Sequence, residues 1–482
     1  MNKETVEPSQ AGRSVSRRRF VQASAGVAAA PLILGSGSAH AAGKTDLTVA
    51  AIGIGGSRGR YNRGRAIANG AAKFGQMIAV CDVDDLHAQE FNAAYDGKLN
   101  TYQDYRKLFE NEKPDVVTIG TPDHWHVPIA IHALEHGAHV YCEKPLTLTI
   151  EEGELIRKAA AKSNKTFQVG TQQRSTYFFR VAAAIVKSGR LGSNVNANCG
   201  IDGAPKGGPF DNSAVPEGLD WDLWLGPAPK RDYCEERRRF FRWYLEYSGG
   251  KMTDWGAHHV DIAQWALGLN TAPSTVFGEG EMTPIIPDNF NWKQFLDGEA
   301  DLPNAYNAAT KFNINLDFDS GNRVTVNNYY ESGSTKFGNG ILFEGEKGRI
   351  FVNRGKLQGA VVNEMFGGEL VTGKQKDNVA ERRAAADPGV IAELDEAFVE
   401  LCNGQRVTGH MENFFDCIES GATPTSDVES HVNAMNSLHM CNITLMLGRK
   451  ISWDSESQSF GSDDQANALM SRKRREGFEL KS

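Results

Sequence analysis

From residue 46 onward, short apolar runs alternate with segments whose apolar positions recur at helical spacing. The pattern predicts strands at 47–54, 77–81, 116–120, 139–142 and 166–169, and helices at 63–74, 84–95, 102–110, 128–136 and 150–161. Strand, helix and parallel strand make a right-handed crossover, so the repetition builds a parallel sheet covered by helices on both faces. Near residue 170 the character changes. A helix at 178–187 leads into polar, Gly- and Pro-rich segments, a helix at 254–267, and alternating runs at 311–318, 324–329 and 349–352 that read as antiparallel strands. Residues 283–304 read as loop and 364–388 as polar and uneven, and helices at 414–419 and 430–447 close the chain around a turn at 421–424. The expected class is α/β: a doubly wound parallel sheet over 42–170, then an α/β domain over 171–482 with a large, open, mainly antiparallel sheet. One face of that sheet packs on helices and the other is free for a partner subunit.

Residues 1–41 stand outside this pattern. Ser16-Arg17-Arg18-Arg19-Phe20 precedes an apolar run over 21–34 and then Ala39-His40-Ala41. Basic, apolar and small-residue regions in that order read as a twin-arginine signal cleaved after Ala41. The apolar run is shorter and less hydrophobic than a membrane span of about 20 residues, and no later stretch is long enough either. The expectation is export to the periplasm, or otherwise out of the cytoplasm, by the twin-arginine machinery and without stable membrane insertion. That route carries folded proteins, so a cofactor can be loaded before export.

Composition narrows the function. Of 482 residues, 52 are Lys or Arg and 60 Asp or Glu, a formal charge of -8; without residues 1–41, which hold five positive and two negative charges, it becomes -11. An acidic chain of this kind is no general nucleic-acid binder. Its seven cysteines form no CxxC pair and are odd in number, which implies neither a zinc ribbon nor a complete disulfide framework. They read as buried thiols.

At the end of the first strand stands Gly53-Ile54-Gly55-Gly56-Ser57-Arg58-Gly59, a Gly-rich turn of the kind that lets backbone approach a pyrophosphate at a helix N-terminus. The spacing departs from GxGxxG: Arg58 holds the sixth position and glycine arrives one residue late, at Gly59. The second strand ends in Asp82, a little over 20 residues on, where a carboxylate accepts hydrogen bonds from the adenosine ribose and repels a 2′-phosphate. These residues predict a Rossmann domain binding NAD, with NADP the lesser choice.

Two further constellations carry chemistry. The fifth strand runs into Glu143-Lys144-Pro145, which puts a lysine at the carboxyl edge of the parallel sheet, where open α/β sheets bind ligands. In Asp254-x-Gly256-x-His258-x-x-Asp261, a continuous helix would place Asp254, His258 and Asp261 on one face and turn His259 about 100° away. Taken singly, Asp254 reads as a helix-start carboxylate beside Thr253 and His258 as a core histidine; Lys144 makes them a set. Together with Thr121-Pro122 and His126 after the fourth strand, these motifs resemble the Gfo/Idh/MocA oxidoreductases, over nearly the whole chain after residue 41. The resemblance implies an N-terminal Rossmann domain and a C-terminal α/β domain whose open sheet forms dimers or tetramers. It also implies catalytic roles for Lys144, Asp254 and His258, and a cis bond before Pro145. The nucleotide would be held by Gly53, Gly55, Gly56, Ser57, Arg58, Asp82, Thr121, Pro122, His126, Glu143, Lys144 and Gln172. The family pattern assigns nothing to His259.

The chemistry follows from the residue types. Oxidising a sugar alcohol removes a hydroxyl proton as hydride leaves the same carbon; His258 takes the proton, Lys144 stabilises the oxyanion, and Asp254 orients the imidazole and favours its protonated form. Arg174 and Tyr177, after the sixth strand, are candidate substrate contacts with Lys144, Asp254 and His258. Trp125, Trp243, Tyr244 and Tyr247 are either sugar-stacking or core aromatics, and 235–239 reads as a solvated charge run. The expected activity is an NAD(P)-dependent carbohydrate oxidoreductase with tightly held cofactor and no metal. Alternatives are a redox-neutral enzyme that cleaves glycosides through a transient ketone, and a metal-dependent sugar hydrolase or isomerase built on His258, His259, Asp254 and Asp261.

Overall fold

The computed structural model describes residues 45–373 and 377–480. The expected export signal lies outside them. Six strands form the N-terminal sheet: β1 (Thr48–Ile52), β2 (Gln76–Cys81), β3 (Asn100–Tyr102), β4 (Val116–Ile119), β5 (His139–Glu143) and β6 (Phe167–Gly170), all parallel, in the order β3-β2-β1-β4-β5-β6. Val49, Ala50 and Ala51 in β1 and Val116 and Val117 in β4 are fully buried, as central strands covered on both faces require. Strand order reverses between β1 and β4, so their carboxyl ends open the crevice in which such sheets take ligands. The short strand β3, with only three residues, carries no alternation and ends at the first residue of the helix expected over 102–110.

The C-terminal sheet is built from β7 (Asn196–Ile201), β8 (Thr275–Glu281), β9 (Lys311–Asp317), β10 (Arg323–Asn327), β13 (Asn339–Gly345), β14 (Gly348–Val352), β15 (Lys356–Gln358), β16 (Leu370–Val371) and β17 (Ile451–Ser452), with a separate hairpin, β11 (Tyr330–Ser332) and β12 (Thr335–Phe337). Its order is β16-β15-β14-β13-β7-β10-β9-β8-β17, antiparallel throughout except for β7 beside β10. Along β9, Phe312, Ile314 and Leu316 are buried while Lys311 and Asn313 are exposed. One face therefore joins the core with the helices Tyr177–Lys187 and Gly256–Leu267. The other is polar, with Thr325 donating to Asn315 at 2.9 Å.

The sixth strand ends at Gly170, and after the second sheet the chain returns to pack on the first. Helix His410–Ser420 inserts Phe414 and Phe415 into the core beneath β1, Val428 and Val432 join the core on the other face, and Phe478 packs edge-on to Trp125 at 5.6 Å. Among the described residues no helix is long and apolar enough to cross a membrane.

Candidate active site

The turn after β1 is shaped by close approach. Gly53 and Gly55 have φ of +76° and +66°; a Cβ on the first would lie 2.5 Å from Thr121 Cγ2, and on the second 2.5 Å from the Tyr61 carbonyl oxygen. The following helix starts only at Arg63. Its second residue, Gly64, comes so near that a Cβ there would sit 1.7 Å from the Gly53 carbonyl oxygen, and one on Gly120 would sit 2.4 Å from the Gly64 Cα. The helix-packing glycine is thus Gly64 rather than the displaced Gly59, whose Cβ would have its nearest neighbour at 3.4 Å.

The longer loop changes the cofactor set. Ser57 gives its N–H (3.0 Å) and its hydroxyl to Glu90, and Arg58 reaches the Glu217 carbonyl at 2.8 Å. Gly56, backed by His87 and Glu90, also lies off the crevice, which Gly53, Gly55, Arg60, Tyr61 and Arg63 line instead. Gly56, Ser57 and Arg58 are therefore replaced as wall residues by the end of the insertion. Asp82, at the tip of β2, is placed as expected. Its Oδ2 accepts from Ile54 N (2.9 Å) and Gly55 N (3.0 Å), and its Oδ1 from Asp84 N (3.0 Å). Burial by itself would raise this carboxyl's pKa; hydrogen bonding and charge from His87, with those backbone N–H groups, hold it below the ordinary value. A turn closed to side chains and a carboxylate braced at its edge fit a dinucleotide.

At the other end of the crevice β5 delivers Glu143 and Lys144, and the Lys144–Pro145 bond is cis. His126 ties this strand end to the previous one, its Nδ1 2.7 Å from the Pro145 carbonyl oxygen and its Nε2 2.9 Å from that of Thr121. Glu143 accepts from Arg63 Nε at 2.8 Å and from Gln172 Nε2 at 2.9 Å. Lys144 Nζ donates to both Asp254 Oδ1 and the Asp254 carbonyl at 2.8 Å, and Arg242 Nε donates to the same Oδ1 at 3.1 Å. Burial opposes the charge on Asp254, yet the two cations hold its carboxyl far below the usual carboxylate range.

The predicted continuous helix is two. Gly250–Asp254 ends where Gly256–Leu267 begins, with Trp255 at the junction, and Gly256 admits the Leu438 side chain, which stands 2.4 Å from where a Cβ would be. The break separates the expected single face into different jobs. Asp254 holds the ammonium of Lys144 and not the imidazole. His258 lines the same cleft, and its Nδ1 is buried with no hydrogen-bond partner among the described residues. Burial pushes its pKa well below the ordinary histidine value, with Lys144 and Arg354 adding to the shift, so the ring is neutral. Asp254 does favour the imidazolium, as expected, but burial and the charges of Lys144 and Arg354 outweigh it.

Asp261 belongs to the core. Arg174 grips it through Nε (2.8 Å) and Nη2 (2.7 Å), His431 Nδ1 lies 3.1 Å away, and Arg174 also donates to the Thr425 carbonyl at 2.7 Å. At 2% exposure Arg174 is withdrawn as a substrate contact: its guanidinium is consumed by an internal ion pair. His259 Nε2 meets Asn339 Oδ1 at 3.1 Å, so His258, His259, Asp254 and Asp261 diverge and share no metal position. Tyr177 does line the cleft. Trp125 lines the crevice, while Trp243, Tyr244 and Tyr247 are core residues, and the charge run at 235–239 is half internal, with Arg237 on Glu246 and Arg238 on Asp84.

Sequence reasoning passed over Tyr61, Asp123, Arg242 and Arg354. All four line a cleft of about 990 Å³ shared with Lys144 and His258. Asp123 is fully buried, and burial, partly offset by Arg242, raises its pKa to about 6. An arginine amid the aromatics of Phe240-Phe241-Arg242-Trp243-Tyr244 was the available signal for Arg242, whose guanidinium stacks 4.1 Å from the Tyr61 ring centroid.

Comparison with known proteins agrees with this geometry. Residues 47–171 match the oxidoreductase family, NAD-binding Rossmann fold, and residues 206–283 match the oxidoreductase family, C-terminal alpha/beta domain. In that order, on this fold, the two matches make the chain similar to the Gfo/Idh/MocA oxidoreductases in both of its domains. Levoglucosan dehydrogenase of Pseudarthrobacter phenanthrenivorans is 36% identical over 96 residues (20% of this chain, 25% of its own), and inositol 2-dehydrogenase of Salmonella typhimurium is 28% identical over 143 residues (30% and 40%). These alignments span well under half of those relatives. The crystal structure of myo-inositol 2-dehydrogenase from Lactobacillus plantarum shares the fold at TM-score 0.53 and 19% identity, covering 85% of this chain and 99% of that one.

Proposed function

We propose that this protein is an exported NAD-dependent oxidoreductase that moves hydride between a carbohydrate hydroxyl or ketone and a tightly held cofactor. The observation that carries the reading is the junction of two spaces: Tyr61, Arg63, Gly120, Thr121 and Arg242 line both the glycine-turn crevice and the cleft of Lys144, Asp254 and His258. A nicotinamide cofactor bound there supplies the hydride acceptor. The chain's residues handle the proton. Neutral His258, with an unpartnered ring nitrogen, takes it from the sugar hydroxyl. Lys144, fixed by two oxygens of Asp254, stabilises the oxyanion that forms beside it. Asp254, shared by two cations, acts as the brace that orients Lys144.

Asp82 supports NAD over NADP, since its carboxylate disfavours a 2′-phosphate. The names of the sugar and polyol dehydrogenases among the relatives support a carbohydrate substrate. Residues 1–41 support export by the twin-arginine route, which makes a retained cofactor useful where no nucleotide pool replenishes it. The breadth of the open sheet supports a homo-oligomer.

The test is mass spectrometry of nucleotide released from denatured protein, followed by reduced-nicotinamide absorbance on adding sugars. Lys144→Met and His258→Ala should each lose turnover by at least about 100-fold while retaining nucleotide. Full turnover in either variant removes that residue from the reaction, and release of NADP alone overturns the role of Asp82.

A further inference from the structure

Among the described residues, the cleft wall carries one guanidinium with no carboxylate in ion-pair contact, that of Arg354. Arg354 lies in the turn between β14 and β15, where Asn353 Oδ1 accepts from Gly355 N at 2.9 Å and Lys356 N at 3.0 Å and so fixes the backbone. Its guanidinium sits 4.6 Å from the centroid of the Trp255 ring. The Gln173 amide oxygen, in the orientation that satisfies both groups, accepts from Arg354 Nε at 3.0 Å and Nη2 at 3.3 Å. An aromatic platform and a two-point amide clamp hold this side chain although it is exposed to solvent.

The neighbouring acids are all committed elsewhere. Asp254 is taken by Lys144 and Arg242, Glu143 by Arg63 and Gln172, and Asp123 by Ser248. Asp377 accepts from Thr372 Oγ1 and caps the helix that begins at Val379. Arg63 lines the same cleft, 46% exposed; partial desolvation of the Arg354 guanidinium against the cleft wall, and then the charge of Arg63, lower the Arg354 pKa, with Asp254 offsetting part of the shift. Two like charges held in mutual repulsion, only one of them with a carboxylate partner, are what an incoming anion relieves.

We propose that the sugar bound in this cleft carries an anionic substituent, a carboxylate or a phosphate ester, received by Arg354 with help from Arg63. This rests on the oxidoreductase reading and narrows its substrate class to acidic sugars. A charge-assisted hydrogen bond predicts a preference of about 10–100-fold for the charged member of a pair.

The experiment uses the mature protein with its cofactor. Calorimetric titration compares D-glucuronate and glucose 6-phosphate with D-glucose, and D-galacturonate with D-galactose, in the wild type, Arg354→Gln and Arg354→Lys; hydride transfer is measured separately. The expected result is tighter binding of at least one anion than of its neutral parent, lost in Arg354→Gln and partly kept in Arg354→Lys; which anion wins separates carboxylate from phosphate. Equal binding of charged and neutral sugars, no binding of any anion, or an equal loss for both classes in Arg354→Gln overturns the proposal, the last assigning the arginine to the electrostatics of His258. Oxidation of neutral sugars without anion preference defeats this inference and leaves the oxidoreductase reading. Selective anion binding without hydride transfer does the reverse.

Discussion

Replacing Gly64 by Ala tests the cofactor cradle through a single added carbon. Alanine is the better helix former by about 1 kcal/mol, so an exposed site would gain stability. Here the new Cβ would lie 1.7 Å from the Gly53 carbonyl oxygen and 2.8 Å from its carbon, both backbone atoms in the turn itself. Reaching even 3.0 Å requires the helix to retreat by about 1.3 Å, or the turn to give way by as much. Overpacking of a rigid site costs about 1–3 kcal/mol, and backbone on both sides puts this one at the upper end, for a net loss near 2 kcal/mol. A shift of about 1 Å in a positioning element costs on the order of 100-fold in turnover. Gly59→Ala is the control: its nearest neighbour would be at 3.4 Å and its φ is not positive, so stability should hold within about 0.5 kcal/mol. Urea unfolding and NAD titration followed by fluorescence read both effects. Loss of cofactor in Gly59→Ala, with Gly64→Ala binding normally, would refute the assignment.

Three other outcomes follow. Asp261→Asn leaves the buried Arg174 guanidinium without its carboxylate and should cost about 3–5 kcal/mol in urea unfolding; an unchanged midpoint with altered sugar affinity would return Arg174 to the substrate site. Burial holds His126, His259 and His410 near a pKa of about 4 and His124 and His439 near about 3, all below the unfolded value near 6.5. The unfolded chain therefore binds protons first as pH falls, and stability present above pH 6.5 should decline toward pH 4 by up to about 1.4 kcal/mol per pH unit for each; a thermal midpoint flat from pH 7 to 5 would contradict those burials. Arg242→Leu removes one of the two cations on Asp254 and should lower turnover more than nucleotide content; equal loss of both would make it a structural residue of the crevice.

What was legible in the chain was whatever depends on local pattern. Buried parallel strands are near-continuous apolar runs, and Asp82 and Lys144 sit at strand ends that such runs delimit. Strands of the second sheet escaped where alternation fails: β8 contains Gly278 and Gly280, each packed within 2.5 Å of where a Cβ would clash with β9 or its neighbours. The helix Pro388–Leu401 carried a readable start, Asp387 accepting from the N–H groups of residues 389 and 390 with proline at the first turn, yet lay beyond a stretch read as uneven. The scattering of the expected helical set has a physical cause. Spacing along an ideal helix put Asp254, His258 and Asp261 together, but the break at Trp255 and the pull of Arg174, more than 80 residues away, separate them. Gly64 was invisible for a similar reason, since its role is set by contact with Gly53 and Gly120 across the fold.

The central claim is that Lys144 and His258 face the reactive ring of one bound cofactor. A crystal structure of the protein with NAD answers it most directly. The account predicts a nicotinamide ring between the Lys144 ammonium and the His258 imidazole, with the adenosine ribose at Asp82. A nucleotide bound elsewhere, or bound with its ring turned away from both side chains, would contradict it.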